Sequence, residues 1–355
     1  MTSAPLRLAA PPYDALLVIS FGGPEQQSDV MPFLENVLRG KNVPRERMLA
    51  VAHHYERFGG ASPINQQNRD VIAALGPALA RAGIALPVYW GNRNWHPLLP
   101  DTLRQMAVDG RRNALAYITS AYSSYSGCRQ YLEDIACAQQ EVGPEAPRVS
   151  TLRKFFNHPD FIAANADRVR AALAELAGET WDDCALVFTA HSIPEGMARH
   201  SAYEAQLRDT AHHVAAAVGA LRWDLVYQSR SGPPDQVWLG PDILDHLRAL
   251  AASGARQVVI APIGFLSDHV EVLYDLDIEA RQVAADLGLR LVRARTVGTH
   301  PLFVRMIAEL AAQRLSGSTE RRAVGTMGAW HDICPAESCL SGRPATASAR
   351  SDARA

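Results

Sequence analysis

No stretch of this 355-residue chain comes near the roughly 18–20 consecutive apolar residues that a membrane-spanning helix needs. Net charge is nearly absent as well: 35 Lys and Arg against 37 Asp and Glu leave a formal charge of −2, which offers nucleic acid no electrostatic footprint. Met1–Pro12 lacks the basic-then-apolar layout of a signal peptide, so the sequence reads as cytoplasmic, with no membrane span and no nucleic-acid partner. Neither GxGxxG nor a Walker pattern follows a strand, and Gly59-Gly60 reads as a tight turn, not a phosphate loop. No internal repeat is visible. Cysteine is scarce and odd in number, five in all, so in a reducing compartment the thiols are buried, reactive or metal-bound and not paired as disulfides.

What the chain does hold is 48% hydrophobic and 20% charged residues over a length that supports two domains. Short apolar, β-branched runs recur at Leu16–Ser20, Val88–Trp90, Leu115–Thr119, Leu186–Thr189, Leu225–Tyr227, Val258–Ile260 and Leu291–Val292. Helix-length amphipathic segments alternate with them, among them Asn68–Arg81, Pro159–Leu176, Glu204–Val218, Asp242–Ala252 and Glu271–Leu287. Strands so short and apolar belong to parallel sheets covered on both faces, which makes this an α/β chain. Two prolines and a glycine in Gln140–Ser150 predict a hinge, with the lobe boundary near Thr151. The expected division is an N-terminal lobe over 13–150, a C-terminal lobe over 151–300, a helix over 301–315 and a tail over 316–355 whose Ala-, Ser- and Arg-rich end reads as disordered.

Ligands of open α/β sheets bind beyond the carboxyl ends of the strands, and three strand ends carry chemistry. In ALVFTAHSIP, an apolar strand ends at His191, and Pro194 forbids its continuation. An imidazole there can bind a metal or take a proton near neutral pH, or serve only as a hydrogen-bonded structural group. After Val258–Ile260 comes APIGFLSDHVEVLYDLDIE, in which Glu271, Asp275 and Glu279 stand at i, i+4 and i+8 and so share one helical face. Like charges at that spacing repel unless solvent or a cation offsets them, and oxygen ligands suit a hard, partly hydrated divalent ion better than a closed zinc site. The third strand end, YQSRSGPP, offers Ser and Arg beside a turn, which fits an anion contact or a capped loop equally. From the first half, YERFGGASPIN, GNRNW and AYSSYSGCRQY bring aromatic faces and polar donors into loops, as a flat apolar macrocycle with peripheral carboxylates would require.

Taken together, LLVISFGGPE, YERFGGASPIN, FTAHSIP, YQSRSGPP with Trp238-Leu239, and PIGFLSDHVEVLYDLD resemble the ferrochelatase family over roughly Asp14 to Leu315. The resemblance implies two similar Rossmann-like, chelatase-type lobes, each a parallel sheet flanked by helices, with the porphyrin in the cleft between them. It implies a haem-biosynthetic lyase that inserts Fe²⁺ with His191 and Glu271 as the catalytic and metal-site pair, and Asp275 and Glu279 as an acidic path. Tyr55, Ser62 and Tyr122 match positions that contact porphyrin. Some members carry at the Phe21 position a tyrosine that ligates iron; phenylalanine cannot. FGGPE, NVLRG and FGGASPIN, together with the lack of a hydrophobic membrane-touching extension, look more like the coproporphyrin III branch of actinobacterial type than the protoporphyrin IX branch. Transient contact with a neighbouring haem-pathway enzyme is implied too.

Some members of that family hold a [2Fe-2S] cluster on one internal cysteine and a C-x₂-C-x₄-C run near the C-terminus. Here the tail reads WHDICPAESCLSG, so Cys334 and Cys339 match the last two ligands and His331 takes the place of the first, while Cys128 resembles the internal ligand. Imidazole replaces thiolate in other iron–sulfur centres, so the set still fits a cluster; the alternative is a remnant from which the cluster has been lost. Cys184, inside a strand, reads as core, and Cys137, on a predicted helix, as core or half-exposed. Two other functions stay open: a non-catalytic porphyrin or haem carrier, and a cobalt chelatase for which His269 would be a further ligand.

Overall fold

The computed structural model describes residues 12–40, 43–176, 181, 184–233 and 235–342. The expected disorder at the end of the chain lies outside these residues. The first part of the chain runs β1 (Ala15–Ser20), α1 (Val30–Val37), α2 (Arg45–Glu56), α3 (Ile64–Arg81), β2 (Val88–Asn92), α4 (Leu99–Val108), β3 (Asn113–Ile118), α5 (Gln130–Val142) and β4 (Arg148–Thr151). The second runs α6 (Pro159–Leu173), β5 (Cys184–His191), α7 (Glu195–Ala198), α8 (Tyr203–Val218), β6 (Trp223–Gln228), α9 (Ile243–Ala252), β7 (Gln257–Ala261), α10 (Val270–Val272), α11 (Arg281–Asp286), β8 (Arg290–Arg293) and α12 (Pro301–Ser316).

Each half builds a four-stranded parallel sheet, in the order β2-β1-β3-β4 and β6-β5-β7-β8. The two orders are the same pattern used twice, although the sequences show no repeat. In both, the chain crosses from one side of the first strand to the other before the third, which opens a crevice at the carboxyl ends of β1/β3 and β5/β7. All seven expected strands are present. The eighth, β4, falls inside the stretch expected to be a hinge: Arg148–Thr151 is short and half polar, and it lies at a sheet edge where pairing with β3 from one side suffices.

One apolar cluster joins both sheets. It takes Leu16 and Val18 from β1, Leu115 and Tyr117 from β3, Leu186 and Phe188 from β5, and Val259 from β7, and fills the space between them with α3, α6, α8 and α12. At its centre Phe161 of α6 meets Phe155 edge-on at 5.6 Å and Phe303 of α12 at 6.1 Å. Proline at the first turn and the His158 imidazole, which accepts a hydrogen bond from the Asp160 amide, start α6. Replacing fully buried Phe161 with Ala should cost about 3–5 kcal/mol through lost transfer energy and an unfilled cavity. A urea midpoint that fails to move would show that this aromatic centre does not join the lobes.

Candidate active site

β5 delivers His191 at its last residue, paired in register with Gln228 at the end of β6. The turn that follows is fixed by the Ser192 amide donating to the Gln228 carbonyl at 2.8 Å, and Tyr203 Oη donates to the His191 carbonyl at 3.0 Å. His191 Nδ1 lies 2.5 Å from the Ser192 carbonyl oxygen. A carbonyl only accepts, so Nδ1 carries the hydrogen and Nε2 keeps its lone pair. That lone pair faces Glu271 Oε2 across 3.7 Å, with the imidazole 32% and the carboxylate 46% exposed. Two acceptors opposed at this range are stabilised by a cation or proton between them. Nitrogen and oxygen ligands sit about 2.0–2.2 Å from an ion such as Zn²⁺, so two such bonds can span the gap.

Glu271 stands on α10, in the segment that leaves the crevice end of β7. The expected regular helix over Glu271–Leu287 is interrupted: Leu273–Ala280 forms a wide π-helical turn between α10 and α11. Such turns are rare and recur at functional sites. Arg293, at the end of β8, holds this one, forking onto Asp277 at 2.7 and 2.8 Å and reaching Asp268 at 3.0 Å, on either side of Glu271. Asp275 accepts from Ser229 Oγ and, at 3.3 Å, from Gln228 Nε2. Burial pushes its carboxyl up to about 7; Glu271 and Glu279 push in the same direction, while the Ser229 hydrogen bond opposes them. Burial also raises Glu279. His269 Nδ1 lies 4.0 Å from Glu271 Oε2, and burial lowers its pKa against the pull of that carboxylate.

From the opposite lobe, Tyr55 packs edge-on against Phe33 and lies within the field of Glu271. Ser62 lines a cavity of about 480 Å³ together with Arg69 and, from across the cleft, Leu273. His54 of α2 stacks on Tyr274 at 3.6 Å, nearly parallel, closing that side. Tyr122 is placed differently: it is buried, and its hydroxyl donates to the Ile263 carbonyl at 3.0 Å. Phe21 is 38% exposed beside the Arg93 guanidinium. A cavity of about 790 Å³ lies away from all of these, against the carboxyl ends of α3 and α12.

The thiols gather elsewhere. Cys128 Sγ is 3.7 Å from Cys334 Sγ, and hydrogen bonds from Cys334 and Cys339 hold the Cys128 thiol well below its usual range. Lys154 sits buried alongside, donating to the Ser120 and Gly127 carbonyls at 3.0 and 2.6 Å. His331 Nε2 is buried with no hydrogen-bond partner among the described residues. Arg129 donates to the Ser338 carbonyl and the Cys339 amide to the His200 carbonyl, so the tail is fastened to both lobes. Among the described residues no group of three or more His, Cys, Asp and Glu surrounds a point as the ligands of a single ion would. Cys184 is buried and Cys137 exposed.

Two four-stranded parallel sheets, one with an imidazole and a carboxylate opposed at its switch point, form a fold found in solved chelatases. Sirohydrochlorin chelatase from Bacillus subtilis, solved with cobalt, has the same fold, with a TM-score of 0.50 over 85% of this chain and 95% of that one, at 11% identity. The ferrochelatase family model matches residues 13–315, and the chain belongs to that family. It is 57% identical to the ferrochelatase of Rhodopirellula baltica over 93% of this chain and 94% of that one. To the coproporphyrin III ferrochelatase of Nocardia farcinica it is 53% identical, covering 87% and 90%. To that of Streptomyces griseus it is 49% identical, covering 96% and 97%.

The raised Asp275 carboxyl has a consequence for stability. A buried acid that binds its proton more tightly folded than unfolded favours the fold at low pH, and this contribution is lost as pH rises from the ordinary carboxylate range through about 7. Asp275→Asn should therefore raise the melting temperature at pH 8 and change it little at pH 4.5. An equal shift at both values would place the Asp275 effect outside its ionisation.

Proposed function

We propose that this enzyme inserts Fe²⁺ into coproporphyrin III, giving Fe-coproporphyrin III and two protons. The observation that carries the reading is the opposed pair of His191 Nε2 and Glu271 Oε2, with lone pairs facing and open to the cleft. His191 takes a pyrrole proton or presents the metal, and Glu271 assists by binding Fe²⁺ and orienting the imidazole. Asp275 and Glu279 lead protons outward, a role their raised affinity for protons supports. Tyr55 and Ser62 face the tetrapyrrole from the other lobe, and Tyr122 contributes by supporting the Ile263 turn. The names of the Nocardia and Streptomyces relatives support the tetracarboxylate substrate. The lobes are taken as 13–150 and 151–300, each holding one sheet but for the last residue of β4, followed by α12 and the tail.

A [2Fe-2S] cluster on Cys128, Cys334 and Cys339, with His331 as fourth ligand, is part of the reading. Two irons share such ligands, so the side chains need not converge on one point as they would around a single ion. The grouped thiols and His331 Nε2, without a partner among the described residues, fit that set, and buried Lys154 offsets its negative charge. A cluster there would supply a one-electron centre. Among the described residues no helix is long and apolar enough to cross a membrane. Residence in the cytoplasm, where five unpaired thiols are expected, and passing contact with a neighbouring haem-pathway enzyme complete the proposal.

Anaerobic insertion assays with coproporphyrin III and protoporphyrin IX test the function. The expected result is faster turnover of coproporphyrin, and loss of turnover in His191→Ala with porphyrin binding kept. A preference for protoporphyrin changes the substrate, and turnover by His191→Ala removes the imidazole from the mechanism. For the cluster, protein isolated without oxygen should contain acid-labile sulfide and absorb in the visible, and Cys334→Ser should abolish both. Wild-type protein free of labile sulfide would reject it.

A further inference from the structure

Two residues that the insertion scheme leaves unused hold the acidic stretch in place. Ser229 follows β6 with φ of 61°, a left-handed conformation that a side chain with Cβ rarely adopts. That conformation brings Oγ onto Asp275 Oδ2, and Gln228 Nε2 donates to the same oxygen at 3.3 Å. Asp275 Oδ1 receives no hydrogen bond from the described residues. Both donors stabilise charge on one oxygen and leave the other as the basic, unencumbered one. Facing a carboxylate also fixes the Gln228 amide with its NH₂ end inward. Its Oε1 then points elsewhere, buried and without a partner among the described residues, although Gln228 is only 1% exposed.

We propose that Gln228 and Ser229 are positioning residues of metal insertion, holding Asp275 Oδ2 so that Oδ1 receives the protons displaced from the tetrapyrrole. The inference rests on the insertion reading above. Each pyrrole N–H bond breaks as its nitrogen binds the metal; the proton moves through His191 Nε2 to Asp275 Oδ1, where an O–H bond forms, and is then released to solvent past Glu279. Two protons leave for each Fe²⁺ that enters, and no electron is transferred.

Ser229→Gly is the informative variant. Glycine occupies a φ of 61° more easily than serine, so the backbone is relieved while the hydroxyl is removed. Ser229→Asn returns a donor on a residue that also tolerates this conformation. Anaerobic Fe²⁺ insertion into coproporphyrin III by the full-length protein should show kcat lowered roughly ten- to a hundredfold in Ser229→Gly, with KM for the porphyrin and the melting temperature undiminished. Ser229→Asn should recover part of kcat, and Ser229→Gly should cost nothing further in an Asp275→Asn background, because the two act as one unit. Wild-type kcat in Ser229→Gly, or losses that multiply in the double variant, would overturn the assignment while leaving the insertion reading intact. A wild-type protein that metallates neither porphyrin rejects the insertion reading and this assignment together.

Discussion

The apolar core around Phe155, Phe156, Phe161 and Phe303 belongs to neither sheet alone, and the cleft exists because of it. Parallel strands need helices on both faces, and here α6, α8 and α12 cover one sheet while packing against elements that cover the other. The carboxyl ends of β5 and β7 therefore meet loops from α2 and α3 at a set distance. Across that distance His54 stacks on Tyr274, the Gln67 side chain accepts from the Asp268 amide, and Tyr55 lies within reach of the Glu271 charge. A looser core would leave His191 and Glu271 facing each other, since both belong to one lobe, but would not hold the opposite wall.

Within that lobe the electrostatics work by opposition. The His191 ring is oriented by a backbone carbonyl at Nδ1, and its Nε2 faces the Glu271 carboxylate across 3.7 Å. Asp275 is kept from easy ionisation by burial and by its acidic neighbours, while two donors anchor one of its oxygens. Such arrangements cost stability and persist because Arg293, itself nearly buried, clamps Asp268 and Asp277 on either side of the segment. The site is strained locally and braced from the edge strand.

The tail adds a second brace. The described residues after α12 carry no helix or strand, yet Asn157 donates to the carbonyls of Val324 and Gly328, Arg153 to that of Arg322, and Trp330 packs on Phe156. The thiols of Cys128, Cys334 and Cys339 meet at the far end of this strap, close to the His200 turn that follows the His191 segment.

Strand-length apolar runs, and the carboxylates and histidine just beyond them, were legible because their cause is local: a parallel strand must be apolar, and a residue after a strand end must face the crevice. Seven strands and the α/β class follow from that alone, as do the positions of His191 and Glu271 beyond strand ends; the two lobes and the pairing of those residues were implied by the family resemblance. β4 was hidden because Arg148–Thr151 is short and half polar and directly follows the prolines and glycine that read as a hinge. The π turn was hidden because its cause, Arg293, lies beyond the segment, and periodicity in a short window cannot show a clamp of that kind. The place of Tyr122, matched to a porphyrin contact by the family resemblance, is set by packing that carries its hydroxyl to Ile263, 141 residues away. Sequence by itself determined which residue types stand at the strand ends; the tertiary structure decided which atoms face each other, because orientation and burial are set by partners far along the chain.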